Sequence, residues 1–233
     1  MSAASLPVSE TFTSVQGEGM FTGVPSMFVR TSGCNLRCWW CDTPYTSWKP
    51  EKGTRLVDDL LTAIAIDKAQ HVVITGGEPT LFPAQVKAII AGCDRIGKLT
   101  TVETNGTRFD PEIQPTLWSV SPKLKSSTPG DQNPRERELH LRNMATPDLG
   151  KFYQGGSMAQ YKFVVATDAD VEEVKATVAQ HGLPTGLVWL MPEGRTAEEV
   201  LARQAWVAAQ CVATGFNLST RLHTLIWGAK RGV

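Results

Sequence analysis

Ser-Met-Phe-Val-Arg-Thr-Ser-Gly-Cys-Asn-Leu-Arg-Cys-Trp-Trp-Cys-Asp-Thr-Pro-Tyr, residues 26–45, runs a strand straight into a loop that carries Cys34, Cys38 and Cys41. Three thiolates so close together bring three sulfurs to one point, and soft thiolates select zinc, copper(I) or iron-sulfur clusters over hard cations. Structural zinc sites close all four positions, usually with two separated pairs of cysteines. Here the other two cysteines, Cys93 and Cys211, are solitary and fall on the apolar faces of expected helices. A 4Fe-4S cluster held by three cysteines leaves one iron open to a further ligand. A zinc-binding interaction module is the alternative of a different class; metal analysis and colour tell the two apart.

Working outward from that loop, strands and helices alternate. Residues 8–19 alternate loosely and end in a glycine loop around Glu18, which is either a ligand-facing carboxylate or a solvated turn residue. Ser26–Arg30 is the first clear strand. Leu56, Leu60, Leu61 and Ile64 have helical spacing within 55–69, and an apolar strand from His71 ends in Gly76-Gly77-Glu78-Pro79. A helix over 83–96, a strand over Leu99–Thr104 and a strand over Leu117–Ser121 follow. Residues 125–158 are irregular and read as an insertion, a lid or a mobile loop, with a short helix near 134–144 and a solvated His140. The alternation resumes with a strand over Tyr161–Ala166, a helix over Ala169–His181, a strand over Gly186–Leu190, a helix over Thr196–Thr214 and a last strand over Asn217–Leu222. About six strand-helix units force parallel pairing with right-handed crossovers. The expected fold is therefore α/β, a partial (βα)6 TIM-like barrel open on one side, with its site at the C-terminal rim of the strands.

The length, 233 residues with 42% apolar content, suits one domain with a substantial core and is short for a complete eight-stranded barrel. Basic and acidic residues balance at 23 each, so no electrostatic footprint for nucleic acid is expected. No run of apolar residues is long enough to span a membrane, and five cysteines, three of them clustered, fit a reducing, cytoplasmic setting.

The Cys-x3-Cys-x2-Cys spacing, Trp40 just before the last cysteine, and Gly-Gly-Glu-Pro one βα unit later resemble the radical S-adenosylmethionine (SAM) superfamily. The resemblance implies a single radical SAM domain over 1–233, with a 4Fe-4S cluster on Cys34, Cys38 and Cys41 and SAM on its open iron. Val-Gln-Gly-Glu-Gly (15–19), Phe-Val-Arg (28–30), Cys-Asp-Thr (41–43), Thr-Gly-Gly-Glu-Pro (75–79), Glu-Thr-Asn-Gly (103–106), Ser-Pro-Lys (121–123) and His223 further resemble the 7-carboxy-7-deazaguanine synthase family. That family forms a deazapurine from a carboxylated tetrahydropterin on the way to queuosine.

Carried over position by position, this second resemblance places SAM against Trp40, Cys41, Asp42, Gly77, Ser121, Pro122, Lys123, Leu190, Met191, Pro192 and Glu193. It places the pterin against Val15, Gln16, Gly17, Glu18, Arg30, Thr75, Glu103, His223 and Val233, and Mg2+ on Thr43. It also implies a flavodoxin- or ferredoxin-type reductant and a homodimer, while the charge balance and the lack of a long apolar run leave neither nucleic acid nor membrane as an expected partner. Another small radical SAM enzyme, such as a glycyl-radical activase acting on a protein, is the alternative that shares the cysteine loop and Gly-Gly-Glu-Pro.

Overall fold

The computed structural model describes residues 4–233. Its nine strands are β1 (Ser5–Val15), β2 (Pro25–Thr31), β3 (Thr54–Leu56), β4 (His71–Gly76), β5 (Leu99–Thr104), β6 (Leu117–Val120), β7 (Met158–Val165), β8 (Val188–Pro192) and β9 (Asn217–Leu218). They form one sheet in the order β3-β1-β2-β4-β5-β6-β7-β8-β9. From β2 to β9 every pairing is parallel. The two ends of the sheet, β3 and β9, do not pair with each other, so the barrel stays open. The helices are α1 (Pro44–Ser47), α2 (Val57–Ile66), α3 (Pro83–Arg95), α4 (Pro134–Asn143), α5 (Lys151–Gln154), α6 (Asp168–His181), α7 (Ala197–Thr214) and α8 (Leu222–Trp227). None of the helices is long and apolar enough to cross a membrane.

Strand alternation decides what faces the site. On β7, Tyr161, Phe163 and Val165 join the core shared with the helices, whereas Lys162 and Val164 face the barrel interior. On β8, Leu190 is in that core and Met191 turns inward. The helices start where side chains satisfy their free amides: Thr167 with Asp170, and Thr196 with Glu199, each form a reciprocal capping box.

Four expectations need correction. The N-terminal segment, expected only as loose alternation from residue 8, is a full strand antiparallel to β2, which makes the clear strand at Ser26–Arg30 second in chain order. Its side chains are mostly half-buried, which blurs the alternation in the sequence. The segment expected as helix from residue 55 begins with the short strand β3, which pairs antiparallel with β1. The last strand stops at Leu218, and 222–227 turn into α8, because Leu222 N bonds back to the Gly17 carbonyl at 2.9 Å.

The fourth correction is the insertion. Residues 125–158 carry the expected short helix as α4, and although much of the segment is exposed it is anchored in the core by Leu149 and Phe152, both fully buried, with Phe152 stacked edge-on against Trp118 at 5.1 Å. His140, expected in solvent, is fully buried. Its Nδ1 accepts from Arg37 N at 3.1 Å, so Nε2 carries the proton toward Ser127 Oγ at 3.0 Å. Burial first, and then nearby Lys123, pull its pKa down to about 4, and the ring is neutral.

Candidate active site

Ligand loop and strand ends meet in one cavity of about 350 Å³ at the C-terminal rim. Cys34, Cys38 and Cys41 line one wall. Burial pushes the Cys34 thiol up to about 12, with Glu78 adding to it, and burial pushes Cys38 up to about 11 although Lys123 opposes it. Without a metal the Cys34 and Cys38 sulfurs are protonated; a coordinating cation strips such protons outright. Among the described residues, no three His, Cys, Asp or Glu side chains close around a single ion. Three cysteines on a common wall with no fourth partner suit a cluster, in which each thiolate binds a different iron, better than one tetrahedral ion. Donors to sulfur are in place, which is how proteins tune such clusters: Leu36 N lies 3.4 Å from Cys34 Sγ and Ser47 Oγ 3.3 Å from Cys41 Sγ.

The Gly76-Gly77 turn presses directly on this loop. Gly76 has φ +120°, and a Cβ on Gly77 would sit 1.9 Å from the Gly33 carbonyl oxygen. The following Glu78 is fully buried and points away from solvent. It accepts from Thr80 N (3.0 Å), Thr80 Oγ1 (2.7 Å), Thr104 Oγ1 (2.8 Å) and Asn105 N (2.7 Å), tying the end of β4 to the end of β5.

The same cavity has a charged floor. Glu18 accepts from Lys162 Nζ at 2.8 Å and Arg221 Nε at 3.3 Å. Burial alone would raise the Glu18 pKa; Lys162, Arg221 and His223 outweigh it and hold the carboxyl well below the usual range. Glu103 accepts from Thr75 Oγ1 at 2.7 Å and Gln16 Nε2 at 3.1 Å, and lies 3.6 Å from Lys162. Arg221 also bonds Asp42 and the Gly194 carbonyl, linking this floor to the cysteine loop. A Cβ on Gly17 would collide with His223 Nδ1 at 1.9 Å, so the glycine lets the imidazole in. Burial lowers the His223 pKa.

The residues expected against the pterin, Val15, Gln16, Gly17, Glu18, Arg30, Thr75, Glu103, His223 and Val233, all line this cavity. So do Trp40, Cys41, Asp42, Thr43, Gly77, Ser121, Lys123, Met191 and Glu193. Leu190, Pro192 and Pro122 do not line it; Leu190 is in the core on the opposite face of β8 from Met191. Arg30 pairs with Glu10 through Nε at 2.7 Å and lies over Phe12, so it is held rigidly by one nitrogen. Glu10 also accepts from Tyr45 at 2.8 Å and Arg231 at 2.9 Å, which brings residues 228–233 to the cavity mouth. Sequence reasoning missed Lys162 and Arg221; a lysine inside the apolar run Tyr161–Ala166 was the available signal.

Residues 28–121 match the Radical SAM superfamily. The chain is 40% identical to the 7-carboxy-7-deazaguanine synthase of Rhodopirellula baltica, over 99% of this chain and 90% of the relative. It is 42% identical to the enzyme of the same name from Halobacterium salinarum, over 96% and 91%. Among solved structures, QueE from Escherichia coli superposes with a TM-score of 0.65 at 26% identity, over 94% of this chain and 95% of that one. SuiB of Streptococcus suis shares the fold alone, with a TM-score of 0.55 at 16% identity over 85% and 49%. Near-full-length identity at this level, with the three-cysteine loop set in a partial barrel, leaves neither a zinc module nor a glycyl-radical activase as a reading: the chain belongs to the 7-carboxy-7-deazaguanine synthase family of radical SAM enzymes.

Proposed function

We propose that this chain, acting as one radical SAM domain over 1–233, converts 6-carboxy-5,6,7,8-tetrahydropterin to 7-carboxy-7-deazaguanine with loss of ammonia, on the path to queuosine. Family membership supports the reaction. The single observation that carries the substrate is the pair of carboxylates, Glu18 and Glu103, bridged by one lysine in the cavity that the three cysteines also line. An amino-pyrimidinone edge presents adjacent donors, and two ionised acceptors side by side are its complement.

In this reading Cys34, Cys38 and Cys41 would hold a 4Fe-4S cluster, which together with SAM and a flavodoxin- or ferredoxin-type reductant would supply the one-electron radical chemistry directed at C6 of the pterin. The chain's own groups do the positioning. Gly77 leaves backbone free for the SAM amino group, with Trp40, Asp42, Ser121, Pro122, Lys123 and the 190–193 segment completing that half. Lys123 is braced for this by Ser121 Oγ at 2.7 Å and by the Trp40 ring. Arg30, fixed through Nε, turns its two terminal nitrogens to the pterin carboxylate. Val15, Gln16, Gly17, Thr75, His223 and Val233 enclose the substrate and exclude water. Thr43 would offer its hydroxyl to Mg2+ beside the substrate, a hard cation that takes oxygen donors. The working form is a homodimer.

The test uses anaerobically reconstituted enzyme with the pterin, SAM and a reductant, read by mass spectrometry for the deazapurine. Glu18→Gln should raise KM for the pterin by about tenfold to a hundredfold, the range for losing a hydrogen bond to a charged group, while SAM cleavage without product continues. Wild-type kinetics in that variant would remove the substrate assignment.

A further inference from the structure

Lys162 is the most deeply buried cation of the cavity, with its side chain 3% exposed. It rises from the inward face of β7 and stands between two carboxylates from distant parts of the chain, 2.8 Å from Glu18 Oε2 and 3.6 Å from Glu103 Oε1. The other oxygen of each carboxylate has a separate donor, Thr75 Oγ1 on Glu103 Oε2 and Arg221 Nε on Glu18 Oε1, while Gln16 Nε2 shares Glu103 Oε1 with Lys162. Lys162 is the only group of the described residues that bonds or pairs with both.

Resting on the substrate reading above, we propose that Lys162 is a positioning residue: it keeps Glu18 and Glu103 ionised together, so that both accept hydrogen bonds from the same edge of the substrate. Two like charges in a buried site cannot both ionise without a compensating cation; one takes a proton, and the pair titrates as a unit. A protonated carboxyl is a donor. Facing the donors of an amino-pyrimidinone it would repel the ligand it is meant to read. Lys162 thus sets, through the two carboxylates, which hydrogen-bond pattern the site recognises. The remaining charged and titratable groups around the pair are Arg221, Asp42 and His223, with the neutral His71 on the Glu103 side. Arg221 is already committed to Asp42 and to the Gly194 carbonyl, so it cannot replace Lys162 between the two glutamates. Burial works against the charged lysine, yet Glu18 and Glu103 raise its pKa overall, which agrees with a permanent cation.

The experiment has one arm without substrate and one with it. In Lys162→Met, infrared difference spectra across a pH titration should show a protonated carboxylic acid band near neutral pH that wild type lacks and that Lys162→Met with Glu103→Gln loses. With substrate, Lys162→Met should raise KM for the pterin roughly 30-fold or more near pH 7, the scale for truncating one partner of a buried charge pair. KM should then fall as pH rises toward about 9 and the shared proton leaves. Lys162→Arg should restore most of the affinity, and the Kd for SAM should stay at its wild-type value in all three proteins. A wild-type KM in Lys162→Met, a raised KM that is flat with pH, or no carboxylic acid band would overturn the proposal. If the band appears and wild-type enzyme makes no deazapurine, the charge arrangement stands and the substrate reading falls.

Discussion

The two ends of the barrel use the same three strands to opposite purposes. At the lower end Ser26 of β2, His71 of β4 and Thr101 of β5 point inward and bond one another: His71 Nδ1 to Ser26 Oγ at 2.7 Å and His71 Nε2 to Thr101 Oγ1 at 2.7 Å. Because the Ser26 hydroxyl is spent on the Val24 carbonyl at 2.9 Å, the imidazole donates through Nδ1 and accepts through Nε2, and the chain closes with no charge and no free group. At the upper end, on the same inward face, Arg30, Thr75 and Glu103 open onto the cavity with charges left for a ligand. The difference teaches that an inward polar residue on a barrel strand is a plug when its neighbours satisfy it and a site when they do not.

Several substitutions would break or sharpen that contrast. The largest effect should come from Glu78→Ala, which lies under the upper end but serves structure: it strands donors from Thr80, Thr104 and Asn105 in the interior. With each buried unsatisfied group costing about 1–3 kcal/mol, denaturant unfolding should show a loss of about 3–5 kcal/mol. At the lower end, His71→Phe removes two buried hydrogen bonds and should cost about 1–3 kcal/mol, with KM for the pterin and the Kd for SAM unchanged. A change in KM there would mean that the two ends are coupled.

The smallest and most specific effect is in pH. Burial pulls the His71 pKa down from 6.5 to about 4, Glu103 opposing it weakly. The fold therefore favours the neutral ring, and the unfolded chain binds the extra proton between those values. The stabilisation is fully present above about 6.5 and is lost as pH falls through that window toward 4. His140 contributes in the same direction. His71→Phe should flatten the fall in stability between about pH 6.5 and 4 without abolishing it; an unchanged slope would show that His71 is not the titrating group.

The parallel sheet, its open edge and the cysteine wall were all legible in the sequence, because strand-helix periodicity and cysteine spacing are local signals. What the sequence concealed is set by tertiary partners. His140 sits in a polar helix, Pro-Arg-Glu-Arg-Glu-Leu-His-Leu-Arg-Asn, whose mean character says surface; only its contact with Arg37 N and Ser127 makes it buried. Glu78 belongs to a motif read as cofactor-facing, yet its carboxylate ties β4 to β5. Arg221 lies where a strand was expected to continue, and its role depends on Glu18 and Asp42, about two hundred residues earlier. The strand-end alternation that carries Leu190 into the core and Met191 into the cavity was available at the sequence level, but naming the whole 190–193 segment passed over it.

The backbone of the cysteine loop is pinned by protein alone: Trp39 N to the Ser127 carbonyl at 3.1 Å, Arg37 N to His140, and the Asn35 carbonyl to Asn143 Nδ2 at 2.9 Å. Oxygen damage that strips the iron should therefore leave the ligands standing in place, and repair becomes a matter of reloading a preformed socket rather than refolding a chain. Far-ultraviolet circular dichroism that is the same before and after chelation, followed by recovery of the brown chromophore on adding iron and sulfide, is the behaviour this scaffold should display.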